Sequence, residues 1–92
     1  MAERAPGNLA LELQGEKRLL QKAEADIDAG WRRLCDQQEL LNSLRITGQS
    51  TTEAERLVEL LRRTLLEWER HRRLIEQRID YLEAKKSFPG QG

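Results

Sequence analysis

Ile46-Thr47-Gly48-Gln49-Ser50-Thr51-Thr52-Glu53-Ala54-Glu55 interrupts an otherwise uniform chain, and its reading decides the fold. Gly48 suits the left-handed position just past a helix end. Thr52 with Glu55, or Ser50 with Glu53, has the spacing of a capping box, so a second helix starts close to where the first one stops. Upstream, residues 9–46 contain no proline and are dominated by helix formers, with Asn8 as the candidate N-cap. Downstream, a helical pattern runs from Thr52 to Lys86. Ser87-Phe88-Pro89-Gly90 then breaks it, and Lys85 and Lys86 oppose the negative end of the helix dipole. The expected organisation is a disordered leader over 1–8, a helix over 9–46, a turn over 47–52, a helix over 52–86 and a disordered tail over 87–92. A connection this short makes the helices antiparallel neighbours, each a rod of roughly 50–57 Å.

A seven-residue period runs through both helices. The first carries Leu13, Leu20, Ile27, Leu34 and Leu41; the second carries Ala54, Leu61, Trp68, Ile75 and Leu82. Two unbroken stripes of this kind are the seam of a coiled coil. A register centred on Thr51 satisfies both stripes. It sets Leu20 against Leu82, Ile27 against Ile75, Leu34 against Trp68 and Leu41 against Leu61. The alternate layers then pair Leu44 with Val58, Gln37 with Leu65, Gly30 with Arg72 and Ala23 with Ile79. The same register brings Lys17 near Glu83, Arg45 near Glu55 and Asp26 near Arg78, and leaves Glu24 near Glu76 as a mismatch. The fold class is therefore all-α, an antiparallel two-helix coiled-coil hairpin.

The middle of this seam is unusual. Gly30 lies mid-helix, where glycine costs about 1 kcal/mol relative to alanine, and Gln37 is polar at a core position. Gly30 makes room for Trp68 or for the stem of Arg72, and Gln37 fixes register. The functional alternative is a notch formed by Gly30, Gln37, Trp68 and Arg72 in which a partner side chain docks.

Two helices bury one face each, so the core of a single hairpin is thin. Apolar residues nevertheless lie off the seam: Leu19, Trp31, Leu40, Leu60, Leu66, Leu74 and Tyr81. Leu60, Leu74 and Tyr81 form one stripe, broken by Glu67, that points away from the first helix. Exposed apolar rows of this sort mark interfaces. The expected interface residues are Leu60, Leu74, Tyr81, Trp31, Leu19 and Leu40, and the expected assembly is a homodimer, two hairpins packed as a four-helix bundle with two-fold symmetry. Another helical protein is the alternative occupant, and a monomer with scattered surface leucines is the third reading.

Composition narrows the classes of function. The 92 residues hold 16 Lys plus Arg and 16 Asp plus Glu, for no net charge, and the charged share is 35%. This balance weighs against a dedicated nucleic-acid binder, which is usually clearly basic. No apolar run approaches the roughly 18 residues that cross a bilayer, and Met1 to Gln14 lacks the pattern of a signal peptide. Cys35 is the single cysteine, so no internal disulfide forms and a cytoplasmic location is expected.

Chemical sites are sparse. His71 is the one histidine and has Glu67 four residues before it, which is not the Glu-x-x-His spacing of carboxylate-bridged metal bundles. Cys35 has Asp36 beside it, an environment that disfavours a thiolate. No phosphate loop, nucleophile elbow or dinucleotide fingerprint occurs. No catalytic residue, cofactor, metal or small-molecule substrate is therefore expected, and the chain reads as a non-enzymatic module. Arg56, Arg63 and Arg70 recur every seven residues on the outer face of the second helix, with Arg62 and Arg73 beside them. They read as a solvated face laced with Glu59–Arg63 and Glu69–Arg73 pairs, or alternatively as a row that binds nucleic-acid phosphates without sequence preference.

Taken together, Gly30, Leu34, Gln37, Leu40, Leu44, Gly48, Thr51, Ala54, Leu57, Thr64, Leu65, His71 and Arg72 resemble the pattern of small uncharacterised bacterial helical-hairpin proteins, over about half the chain. Members of that family often carry a second histidine where Trp68 stands here. The resemblance implies a hairpin architecture and a bacterial setting, and it brings no assigned activity.

Overall fold

The computed structural model describes residues 6–87. It contains two helices, α1 (Pro6–Ile46) and α2 (Thr52–Ser87), packed side by side as an antiparallel hairpin. Helix α1 starts earlier than expected. Proline is tolerated in a first helical turn because its missing N–H would have no partner there. Asn8 consequently lies inside the helix and does not cap it. Ser87 extends α2 by one residue. The rest of the expected leader, 1–5, and of the expected tail, 88–92, lies outside the described residues.

Gly48 performs the reversal. Its φ of 73° is the left-handed conformation. The Gln49 N–H donates to the Leu44 carbonyl at 2.9 Å, and the Gly48 N–H donates to the Arg45 carbonyl at 3.2 Å. These two bonds form a Schellman motif, which satisfies carbonyls the helix end would otherwise strand. The Thr47 hydroxyl adds bonds to the carbonyls of Ser43 at 3.0 Å and Leu44 at 3.3 Å. Helix α2 opens with the Glu55 N–H donating to the Thr51 carbonyl at 2.9 Å. Thr51 is therefore the N-cap and Ala54 occupies the third helical position. Neither expected capping box has its glutamate in place, because the helix start falls between them. Glu53 and Glu55 still lie in the first turn, where the dipole favours them.

The connection is thus centred on Gln49, not Thr51, and α2 is shifted along α1 by about one helical turn. Gly30 shows the shift directly. A Cβ built there would lie 2.7 Å from Cδ2 of Leu65 and 3.3 Å from Cζ3 of Trp68, so Gly30 faces these residues and not Arg72. Ile27 and Ile75, expected to face each other, belong to separate hydrophobic clusters. A heptad seam alternates its apolar positions every three and four residues, so a one-turn slide still sets apolar against apolar. That ambiguity explains why the stripes matched in the wrong register.

Residues of both stripes point inward as expected. The turn-side cluster holds Ile27, Leu34, Leu41, Ala54, Val58 and Leu65, with Leu44, Leu61 and Trp68 packed against it. The open-end cluster holds Leu13, Ile75, Ile79 and Leu82, with Leu9, Leu20 and Ala23 alongside. Arg72 lies between Trp68 and Ile75, at the level where one cluster gives way to the other. The hairpin measures 67 × 23 × 14 Å and has a radius of gyration of 20.5 Å. A compact domain of this length would have about 12 Å. The single seam is all the core the fold provides.

Candidate functional site

Ion pairs across the hairpin identify its two long faces. Lys17 Nζ lies 3.2 Å from Glu83 Oε2, and Arg45 Nη2 lies 3.5 Å from Glu55 Oε2. Both contacts were expected, and both lie on one face. On the other face, Arg78 reaches Glu12 at 3.9 Å and Glu16 at 4.0 Å. Asp26, expected to meet Arg78, is bonded instead by Lys22 Nζ at 3.0 Å, one turn away on its own helix. Arg78 pairs nearer the open end because of the shifted register. Glu76, expected opposite Glu24, has Arg72 Nε at 4.0 Å.

Residues seven apart share a helix face, and those three or four apart are neighbours on it. This places Leu19 and Leu40 in the row of Glu12. Leu74 and Tyr81 lie one turn to either side of Arg78, and Leu60 follows in their row. Leu57 stands beside Leu60. All six therefore crowd the face marked by Arg78, and all are exposed, from 39% for Leu57 to 59% for Leu60. Leu57 is outside the expected interface set, and its three-residue spacing from Leu60 is the signal that places it on this face. The Lys85 ammonium lies 5.4 Å from the centre of the Tyr81 ring, a cation–π contact. Trp31 behaves differently. It is exposed, but it lies in the row of Lys17 and Arg45, on the opposite face. Leu66 is also exposed and belongs to that side of α2.

The seam residues proposed as a notch are filled by the chain itself. Gly30 is buried, and its missing side chain is what lets Leu65 and Trp68 approach. Gln37 and Trp68 are half-buried. Arg72 is also half-buried, and its enclosed Nε has the Glu76 carboxylate at 4.0 Å, an ion-pair distance beyond hydrogen-bond reach.

The arginine row is exposed at Arg56, Arg63, Arg70 and Arg73. Arg63 Nε donates to Glu59 at 3.3 Å, as expected, and Arg70 donates to Glu67 at 3.2 Å in place of the expected Glu69–Arg73 pair. Half of the row is therefore already neutralised. His71 and Cys35 are exposed, and the Cys35 thiol is free. Among the described residues no three His, Cys, Asp or Glu side chains gather where they could hold a metal ion. Beside the turn, on the ion-paired face, a groove of about 440 Å³ runs past Gln38, Asn42, Arg45, Val58 and Arg62. No helix of the described residues is long and apolar enough to cross a membrane. Comparison with protein-family models, with curated proteins and with solved structures finds no match to this chain.

Proposed function

We propose that the chain is a non-enzymatic interaction module, a helical hairpin that self-associates through the face of Leu19, Leu40, Leu57, Leu60, Leu74 and Tyr81. The observation that carries this reading is the alignment of six large exposed apolar side chains on one face of a slender hairpin. Leaving such a row in water forgoes about 25 cal/mol for each Å² of apolar surface, and packing it on a second hairpin recovers that. Size supports the reading as well. A face of 67 by 23 Å offers about 1,500 Å², against the about 800 Å² per partner of a standard interface. The lone free thiol at Cys35 fits a reducing, cytoplasmic setting.

Charging the row tests the proposal. Leu74→Glu combined with Tyr81→Glu abolishes association in sedimentation equilibrium and leaves helicity by circular dichroism largely intact. Loss of both together means that these residues are core, and the reading fails. A duplex-binding role for the arginine row has less support, because Arg63 and Arg70 are engaged by glutamates. A labelled duplex should show no anisotropy change at low salt with micromolar protein.

A further inference from the structure

One row of α1 on the apolar face is complementary to itself. Leu19, Asp26, Arg33 and Leu40 recur every seven residues, in the order apolar, acidic, basic, apolar. Laid antiparallel on its own copy, the row sets Leu19 on Leu40 and Asp26 on Arg33, and each contact occurs twice. The midpoint falls between Ala29 and Gly30. Arg33 is exposed and has no ion-pair partner among the described residues. Asp26 is held only by an exposed lysine, with Lys22 Nζ at 3.0 Å.

Helix α2 gives a second, independent estimate of the midpoint. Leu60 fits the hole that Leu74, Gln77, Arg78 and Tyr81 make on an antiparallel second copy, since a helix knob seats among four residues of the facing helix. The same placement brings Glu67 to the level of Arg70 of the second copy, although Arg70 already bonds Glu67 of its own helix at 3.2 Å. Its midpoint falls between Trp68 and Glu69. Within one hairpin, Gly30 lies against Leu65 and Trp68, with the built Cβ 2.7 Å from Leu65 Cδ2 and 3.3 Å from Trp68 Cζ3. The two helices therefore put the midpoint within about one turn of the same height along the rod, although each was read from its own row.

We infer that two hairpins pair about a two-fold axis perpendicular to the rods at the Gly30–Trp68 level, with their turns at opposite ends and Asp26 of each copy paired with Arg33 of the other. The inference rests on the self-association proposed above and adds its geometry. The occupant is a second copy of this chain because each row supplies its own complement. An axis running along the rods, with both turns at one end, would set Leu19 near Arg78 and Tyr81 of the second copy, Leu40 near its Leu57 and Leu60, and Arg33 near its Glu67. That arrangement leaves Asp26 at the level of His71 and Leu74, where the perpendicular axis pairs it with Arg33.

A charge swap tests the arrangement. Asp26→Arg places like charges together at both symmetric sites and raises the dimer dissociation constant at least about tenfold in sedimentation equilibrium. Adding Arg33→Asp restores the constant to within about threefold of the parent, since every pair is then opposite again. In a Cys35→Ser background, chains with Leu19→Cys mixed with chains with Leu40→Cys give an oxidised heterodimer, and neither variant alone cross-links comparably. This second readout does not depend on charge, and circular dichroism checks that each variant keeps its helices. A parent dimer that Asp26→Arg leaves unchanged, or that the swap fails to restore, overturns this geometry and leaves self-association standing. A parent chain that is monomeric removes both.

Discussion

The two long faces of the hairpin solve the same problem in different ways. One carries its cross-helix charges in pairs, Lys17 with Glu83 near the open end and Arg45 with Glu55 beside the turn. Among the described residues, the other carries one cross-helix charge centre, Arg78 with Glu12 and Glu16, and six exposed apolar residues. Solvent can complete the first face apart from Trp31 and Leu66, which stand singly there. Water gains nothing at the second, where apolar surface is left without a partner. The difference shows that burial alone does not separate core from interface in so thin a fold; the distribution of unburied leucines between the faces does.

The largest effect should come from charging the apolar face. Two glutamates at Leu74 and Tyr81 remove two anchors of about 1.5 kcal/mol or more each, at least about a hundredfold in association. The matching substitution on the ion-paired face, Leu66→Glu, should leave the sedimentation profile unchanged. If Leu66→Glu disrupts assembly as strongly, the faces are not distinct in the way described.

The seam between the faces gives a sharper, smaller test. Gly30→Ala gains helix propensity of about 1 kcal/mol. It also drives a methyl into Leu65 Cδ2 at 2.7 Å inside a packed cluster. Overpacking of this kind costs about 1–3 kcal/mol, so urea denaturation should show a net loss. Gly15 has nothing within 4 Å of an added Cβ. Gly15→Ala should therefore stabilise by about 0.5–1 kcal/mol through propensity alone. Gly48→Ala, at φ 73°, should destabilise by about 1 kcal/mol because a side chain disfavours the left-handed conformation. The smallest effect belongs to the paired face. Glu83→Gln should cost under about 1 kcal/mol, since its partner is an exposed lysine.

Most of the architecture is legible in the residues. The Leu13-to-Leu41 and Ala54-to-Leu82 stripes locate both helices and the seam, and Gly48 locates the reversal. The register was harder to read. Its one-turn error comes from the repeat itself, which accepts Leu65 or Trp68 across from the same layer. Deciding between them needs the position of the N-cap, and three consecutive hydroxyl residues, Ser50, Thr51 and Thr52, compete for it. The apolar row was legible as off-seam residues, but its sidedness was not. Trp31 joined the others by composition, and the face it occupies follows only from the pairing of α1 with α2. The self-complementary row of α1 was in the sequence throughout; it becomes informative once Gly30 and Trp68 are seen to lie at one height.

Sedimentation equilibrium of the unmodified chain over a hundredfold range of concentration decides whether the apolar face is an interface between copies. A dimer that persists to low micromolar concentration is expected. A monomer across the whole range would contradict it, because the six apolar side chains would then remain in water with no second copy to cover them.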